Sequence, residues 1–405
     1  MRSALILALL ASLSTEARAQ GGVHQAEGQT IIVTGTRIQD FRDRLRDCLV
    51  RNCPPDEDID ATMALAEALF VEGDYHGARR AIRRSIGRNR DEARNYPEPV
   101  SDLYRANARV ARNLGLDRDA RFSTVEILRV LQSGIPVEDH RHFTARFEIA
   151  QSLVAFGQYR QANNMLEDLA ERARAVGRDD VVAMAELRRM WVHRLLATRG
   201  SPPSRALLEL ARSPDPRRSI GAKMLLVRIY GENGDTADAE RLIAELGRST
   251  GRRLLLFSPP YEMVQREDVE GQARRAQAIY ARGSGRGRAL FTSNLGDRLV
   301  ENVADKWIDV GFWVQPDGRV EGLEIVRSRN DTSWAEPLLR SIRGRRYATS
   351  EDASTYQLER YTYTSGYNES GTGSRIAGRS ARARVEYFDL SATASPTPAP
   401  AQPPT

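Results

Sequence analysis

The chain has two lysines, Lys223 and Lys306, two cysteines, Cys48 and Cys53, and five histidines in 405 residues. Each scarcity excludes something. With only Cys48 and Cys53 and few histidines near them, the ligand sets of structural zinc sites cannot be assembled. No H-E-x-x-H, G-x-S-x-G or phosphate-loop pattern occurs. His140-x-His142 beside Asp139 is the nearest approach to a metal motif, and in a polar stretch it reads as a solvated pair. The expectation is a non-enzymatic protein with no cofactor. Beyond the N-terminus no apolar run approaches the roughly 20 residues a spanning helix needs.

What is abundant is arginine, which carries nearly all of the positive charge in a formal net charge of +6. Acidic residues are interspersed with it, so the balance reads as a solvated surface rather than a nucleic-acid footprint. The first residues form a short charged segment, an apolar run from Ala4 to Leu13, and Ala17-Arg18-Ala19, the pattern of a cleaved secretory signal. Export implies an oxidising, periplasmic compartment. There, an even count of cysteines favours a bridge between Cys48 and Cys53, closed by the turn-forming Pro54-Pro55.

The middle of the chain repeats itself. Residues 65 to 86, 149 to 170 and 225 to 246 each show an apolar helix, a glycine, a small residue five positions on, and a second amphipathic helix. The glycines are Gly73, Gly157 and Gly234, and the small residues are Ala78, Ala162 and Ala239. Weaker copies turn at Gly115 with Ala120 and at Gly200 with Ala206, the last displaced by one. The glycines are spaced 42, 42, 43 and 34 residues apart. Glycine suits the left-handed residue that ends a helix, and the alanine lets the two helices approach closely. Leu65-Ala66, Leu69, Gly73, Tyr75, Ala78 and Ile82 resemble the tetratricopeptide repeat, although the wider spacing departs from its 34-residue period. The resemblance implies an array of helical hairpins that binds peptides or proteins. Arg105, Arg109 and Arg112 share one helical face, and Arg194 and Arg228 fall on comparable faces of later repeats. They are candidates for a groove that receives an acidic segment or a C-terminal carboxylate; solvated arginine on an outer face is the alternative.

After Gly251 the pattern changes. Residues 306 to 315 alternate with period two, a strand. Pro316-Asp317-Gly318 is a turn, and residues 319 to 326 are a second strand with a bulge near Gly322. Ser333-x-x-Glu336 has the form of a capping box, and Trp334, Leu338, Leu339 and Ile342 form a helical stripe. Strands follow at about Tyr356 to Tyr363 and Arg384 to Leu390, around a Gly/Ser-rich stretch. The order of the Asp317-Gly318-Arg319-Val320 turn, Ser328, the helix, and Arg345-Arg346-Tyr347 resembles the C-terminal domain of TonB, with Ser258-Pro259-Pro260-Tyr261 echoing a preceding segment of that family. Residues 30 to 38, TIIVTGTRI, resemble the TonB box of outer-membrane receptors, and the resemblance implies that Ile31, Ile32, Val33 and Thr34 can add as a strand to a sheet edge.

The expected architecture is multidomain, α followed by α+β: a signal at 1–19, an arm with Cys48 and Cys53 at 20–57, a helical-hairpin repeat solenoid at 58–251, a small TonB-like α+β domain at 252–390, and a Pro-rich tail at 391–405. The expected function is a periplasmic scaffold for protein or peptide partners, with no nucleic acid and no spanning segment after signal cleavage. The alternatives are a TonB-like partner of outer-membrane transporters and, more remotely, an envelope enzyme.

Overall fold

A computed structural model describes residues 38–198, 200–250, 255–259, 261, 306–349, 353–367 and 379–391. The signal segment and the strand-addition segment Ile31 to Thr34 lie outside the described residues. All the described residues belong to one compact unit.

The first half is an array of antiparallel helical hairpins. A helix α1 (Ile38–Val50) leads into α2 (Pro55–Val71) and α3 (Tyr75–Asn89); then come α4 (Pro97–Asn113) and α5 (Asp117–Gly134), α6 (His140–Ala155) and α7 (Tyr159–Ala175), α8 (Asp179–Leu196) and the short α9 (Arg205–Leu210), and α10 (Pro216–Asn233) and α11 (Thr236–Thr250). All five expected glycines, Gly73, Gly115, Gly157, Gly200 and Gly234, adopt positive φ between 72° and 87°. Four of them close their helix alike. The amide that follows the glycine donates to a carbonyl five residues back: Asp74 to Leu69, Leu116 to Ala111, Gln158 to Leu153 and Asp235 to Tyr230. This wraps the free carbonyls of the helix end around a residue without a Cβ. Ala78, Ala120, Ala162 and Ala239 are buried where the second helix meets the first. Ala206 is exposed, and Leu207 is buried in its place. The intervening Pro202-Pro203 lengthens the connection and leaves α9 only six residues, so the register slips.

The segment read as an arm is partly helical. Ile38, Phe41 and Leu45 of α1 pack on the core of the first two hairpins, and α2 begins at Pro55 rather than 58. The disulfide Cys48–Cys53 closes the turn between these helices, with Cα atoms 5.2 Å apart. No described helix is long and apolar enough to cross a membrane.

The second half is a small antiparallel sheet. Strands β2 (Lys306–Val314), β3 (Val320–Arg329), β5 (Thr355–Tyr367) and β6 (Arg379–Asp389) lie in the order β3-β2-β5-β6. The helix α12 (Glu336–Arg343) covers one face, onto which Ile308, Val310, Phe312 and Val314 point. The expected bulge occurs at Gly322, which has φ +62°, and a second register shift lies opposite Asp309 and Val310. The capping box does not form. Asp331 instead accepts from the Ser333 amide at 3.0 Å and its hydroxyl at 2.8 Å, which places a 3-10 turn, Ser333–Ala335, ahead of α12. A separate ribbon pairs β1 (Leu255–Phe257) with β4 (Arg346–Tyr347). It packs on the last hairpin: Leu256 and Ala348 join the core of α8 to α11, and the Phe257 ring lies against Gly231. The C-terminal region therefore touches the array at both ends, the first hairpins through the four-stranded sheet and the last hairpin through the β1–β4 ribbon.

Candidate functional site

Because successive strand residues alternate faces, the sheet face opposite α12 presents Trp307, Asp309, Arg360, Thr362, Glu386 and Phe388. This face lies against the tips of the first two hairpins. Arg360 is fully buried and paired with the fully buried Asp309, Nε to Oδ1 at 2.6 Å and Nη2 to Oδ2 at 2.9 Å. Its remaining Nη1 donates at 2.7 Å to the Phe70 carbonyl near the end of α2, an oxygen that also accepts from the Gly73 amide at 2.9 Å. The guanidinium also lies 3.9 Å from the Trp307 ring centre. Trp307 rests on Gly73, where an added Cβ would come within 2.5 Å of the indole nitrogen. Gly73 is thus fixed twice, by its left-handed backbone and by the ring above it. Nearby, the Tyr75 hydroxyl is hydrogen-bonded to Thr362 at 2.8 Å. Arg327 and Arg329 donate to the carbonyls of Val71 and Gly73.

The second hairpin is held by β6. Arg112 donates to Glu386 at 2.6 Å, and Arg384 grips Asp117 with both Nη atoms, at 3.0 and 2.5 Å. Arg384 also donates to the Arg112 carbonyl at 3.1 Å. Phe388 sits between Phe70, at 5.1 Å between ring centres, and the guanidinium of Arg109, also at 5.1 Å. The array therefore reads a strand of its own chain through an acid at Glu386 and an aromatic two residues on.

The five candidate arginines fall into two groups. Arg105 pairs with Asp102 on its own helix and with Glu148 of α6 at 2.8 Å, stapling neighbouring hairpins. Beside it, Arg109 and Arg112 engage β6. In the later repeats, Arg194 and Arg228 converge on Glu232. Arg194 is almost buried and also donates to the Ser201 carbonyl at 3.0 Å, whereas Arg228 stacks 3.9 Å over Trp191. The structure brings these two groups onto different hairpins, each with partners inside the chain.

A second buried polar cluster lies on the α12 side. Arg345 donates to Glu359 at 2.8 Å and to the Tyr361 hydroxyl at 2.6 Å, and Tyr361 in turn donates to Glu359. Burial, reinforced by the charge of Glu359, pushes the Tyr361 hydroxyl well above its usual range. Burial works against the charge of Arg345, yet its neighbours Tyr361 and Glu359 hold it firmly protonated. Tyr387 reaches the same carboxylate at 3.3 Å from a half-exposed position. The cluster ties the end of α12 to β5 and β6.

His142, expected in solvent, is fully buried with Nε2 3.2 Å from the Ile135 carbonyl, while His140 is exposed beside Asp139. Among the described residues the one group that could gather around a metal is Cys48, Cys53 and Glu57, and its two sulfurs are joined in the disulfide.

No protein-family model and no curated protein matches the chain. Solved structures similar to it include BtubC (BKLC) from P. vanneervenii, 15% identical, covering 52% of this chain and 85% of that one, with a TM-score of 0.38. A Rap protein complexed with Competence and Sporulation Factor is 14% identical and covers 52% of this chain, with a TM-score of 0.36; the chain spans 63% of it, under two thirds. The Rap conjugation gene regulator of the plasmid pLS20, in complex with the Phr* peptide, is 11% identical and covers 69% and 72%, with a TM-score of 0.34. At this level of likeness the repeat assignment stands on the hairpins of the chain itself: a helical-repeat region followed by a small antiparallel sheet.

Proposed function

We propose that the chain is a non-enzymatic scaffold of the cell envelope that binds protein or peptide partners through its helical array. The observation that supports this reading most is the way the array holds β6. Arg112, Arg109 and Asp117 take up an acid, an aromatic ring and an arginine from one extended strand. A surface able to hold one strand in this manner can hold another of similar chemistry. Periplasmic location is part of the proposal and follows from the N-terminal segment; an intact Met1 to Ala19 in the mature protein, read by mass spectrometry, would contradict it.

The binding proposal is tested by photocrosslinking in intact cells from a probe placed at exposed Arg118, next to Asp117. Crosslinks to a defined envelope protein that disappear on Asp117→Arg support the scaffold. Crosslinks only within the chain overturn it. The finer reading, a sheet related to the TonB C-terminal domain that meets outer-membrane transporters, has its support in the turn-and-strand order around Asp317 to Val320. It predicts that a peptide of residues 29–40 or a transporter-derived box peptide perturbs one edge strand of the full chain in nuclear magnetic resonance spectra, and unchanged spectra would reject it.

A further inference from the structure

The helices α1 and α3 both pack on α2, and between them lies an open cavity of about 560 Å³ on the side of the first hairpin. Its floor is apolar. Leu65 and Leu69 of α2 form the bottom, and Leu45 and Leu49 of α1 form one wall, with Leu49 still 38% exposed. Its rims are arginine. On α3, Arg80, Arg84 and Arg88 recur every four residues, which aligns them along one helical face over about 12 Å. On α1, Arg42 and Arg46 face them with the same spacing.

These rims are not neutralised alike. Arg88 is bound into the buried carboxylate of Asp58 at 2.6 and 2.8 Å. Arg46 has only the exposed Asp43 and Asp47 of its own helix. Arg42, Arg80 and Arg84 form no ion pair among the described residues. The single carboxylate in the lining, Asp74, is spent on capping α3, accepting from the Gly77 amide at 2.7 Å. Like charges thus stand on both sides of an apolar slot, and three of them, Arg42 on one rim and Arg80 and Arg84 on the other, have no acid among the described residues to offset them. Such an arrangement is complementary to an amphipathic helix whose apolar residues fill the slot and whose flanking acids meet the arginines on either side.

We propose that this slot is a second docking surface, which takes an acidic amphipathic helix of a partner protein. It is built from α1, α2 and α3 and uses none of Arg109, Arg112 and Asp117, which hold β6. It therefore stands apart from the binding surface proposed above. Leucines of the ligand lie over Leu45, Leu49 and Leu65, and glutamates one turn apart bridge Arg42 on one rim and Arg80 and Arg84 on the other.

The probe is a fluorescein-labelled helical peptide of about 18 residues with a leucine stripe of the 3–4 spacing flanked by glutamates, and a counterpart with lysines in their place. Fluorescence anisotropy is read against the full chain. The glutamate peptide is expected to bind in the micromolar range, to weaken as salt screens the rims, and to outbind its lysine counterpart by at least about tenfold. The triple variant Arg42→Glu, Arg80→Glu, Arg84→Glu weakens the glutamate peptide by a similar factor, while the lysine versions of the same three sites retain most of the binding. All three positions are exposed, and an unchanged thermal midpoint shows that the variant is folded. Leu49→Asp gives the same loss through the apolar wall. The proposal is overturned if the glutamate peptide fails to bind at millimolar concentration, if the two peptides bind equally, or if the triple variant binds like the parent. It is also overturned if phosphatidylglycerol vesicles bind the slot and the peptide does not compete, because the rims then serve a lipid surface.

Discussion

The hairpin tips at Gly73 and Gly157 are built alike and used differently. Both glycines have positive φ, +85° and +72°, and both tips close with the same backbone hydrogen bond. An added Cβ at Gly157 meets nothing within 4 Å, whereas at Gly73 it meets the indole of Trp307. The first tip is a docking platform for the sheet, and the third is free of it. A repeated fold thus supplies identical tips, and a distant strand decides which one becomes an interface. The carbonyls at the end of the helix and in the turn after it are what the sheet uses: Phe70, Val71 and Gly73 each accept from an arginine of the sheet.

The largest expected effect is at the centre of that platform. Arg360→Leu leaves Asp309 buried with only Arg327 and takes one of two donors from the Phe70 carbonyl. It should cost about 3–5 kcal/mol, as removal of one partner from a buried pair does, measured by denaturant unfolding. A loss below about 1 kcal/mol would mean that the sheet does not depend on this contact. Inside the hairpins the two repeats should behave alike. Ala78 and Ala162 are both fully buried, so Ala78→Leu and Ala162→Leu should each cost about 1–3 kcal/mol by overpacking. A large difference in thermal midpoint between them would show that the sheet reaches beyond the tip.

Reducing Cys48–Cys53 should remove about 2 kcal/mol, the chain-entropy value for so short a loop, and loosen α1 while the sheet stays docked. Hydrogen exchange confined to α1 and the start of α2 checks this, and protection lost throughout the array would contradict it.

The α12 face of the sheet offers a pH test. Burial and then the Glu359 charge raise Tyr361 in the folded state above its ordinary value near 10. A raised group contributes stability that is fully present below the unfolded value and is lost as pH rises from there towards the folded value. Stability should therefore fall above about pH 10, and Tyr361→Phe should flatten that decline, followed by urea midpoints between neutral and alkaline pH.

How much of this was legible depends on distance along the chain. The turn glycines and their alanines could be read because a local pattern recurs in phase. It failed at Ala206, where two prolines lengthen the loop, and it missed Gly177, which has φ +71° between α7 and α8. The stripe of Ile38, Phe41 and Leu45 has helical spacing, but it is short and follows a stretch with the look of an arm. Alternation revealed β2 and β3. It could not reveal that Asp309 and Arg360, charged and 51 residues apart, bury each other, because a charged residue in a strand ordinarily marks the solvent face. Arg109 and Arg112 stood out as a shared helical face. That their partners would be Phe388 and Glu386, more than 270 residues away, is information held by the folded chain alone.

The central claim, that one tip is an interface because Trp307 rests on Gly73, is tested most directly by a double-mutant cycle. Gly73→Ala and Gly157→Ala carry the same backbone penalty, about 1–2 kcal/mol for a left-handed alanine. The account predicts that Gly73→Ala costs clearly more than Gly157→Ala in the parent chain, and that the excess disappears when Trp307 is changed to Leu. Equal costs in the parent chain, or an excess that survives Trp307→Leu, would contradict it.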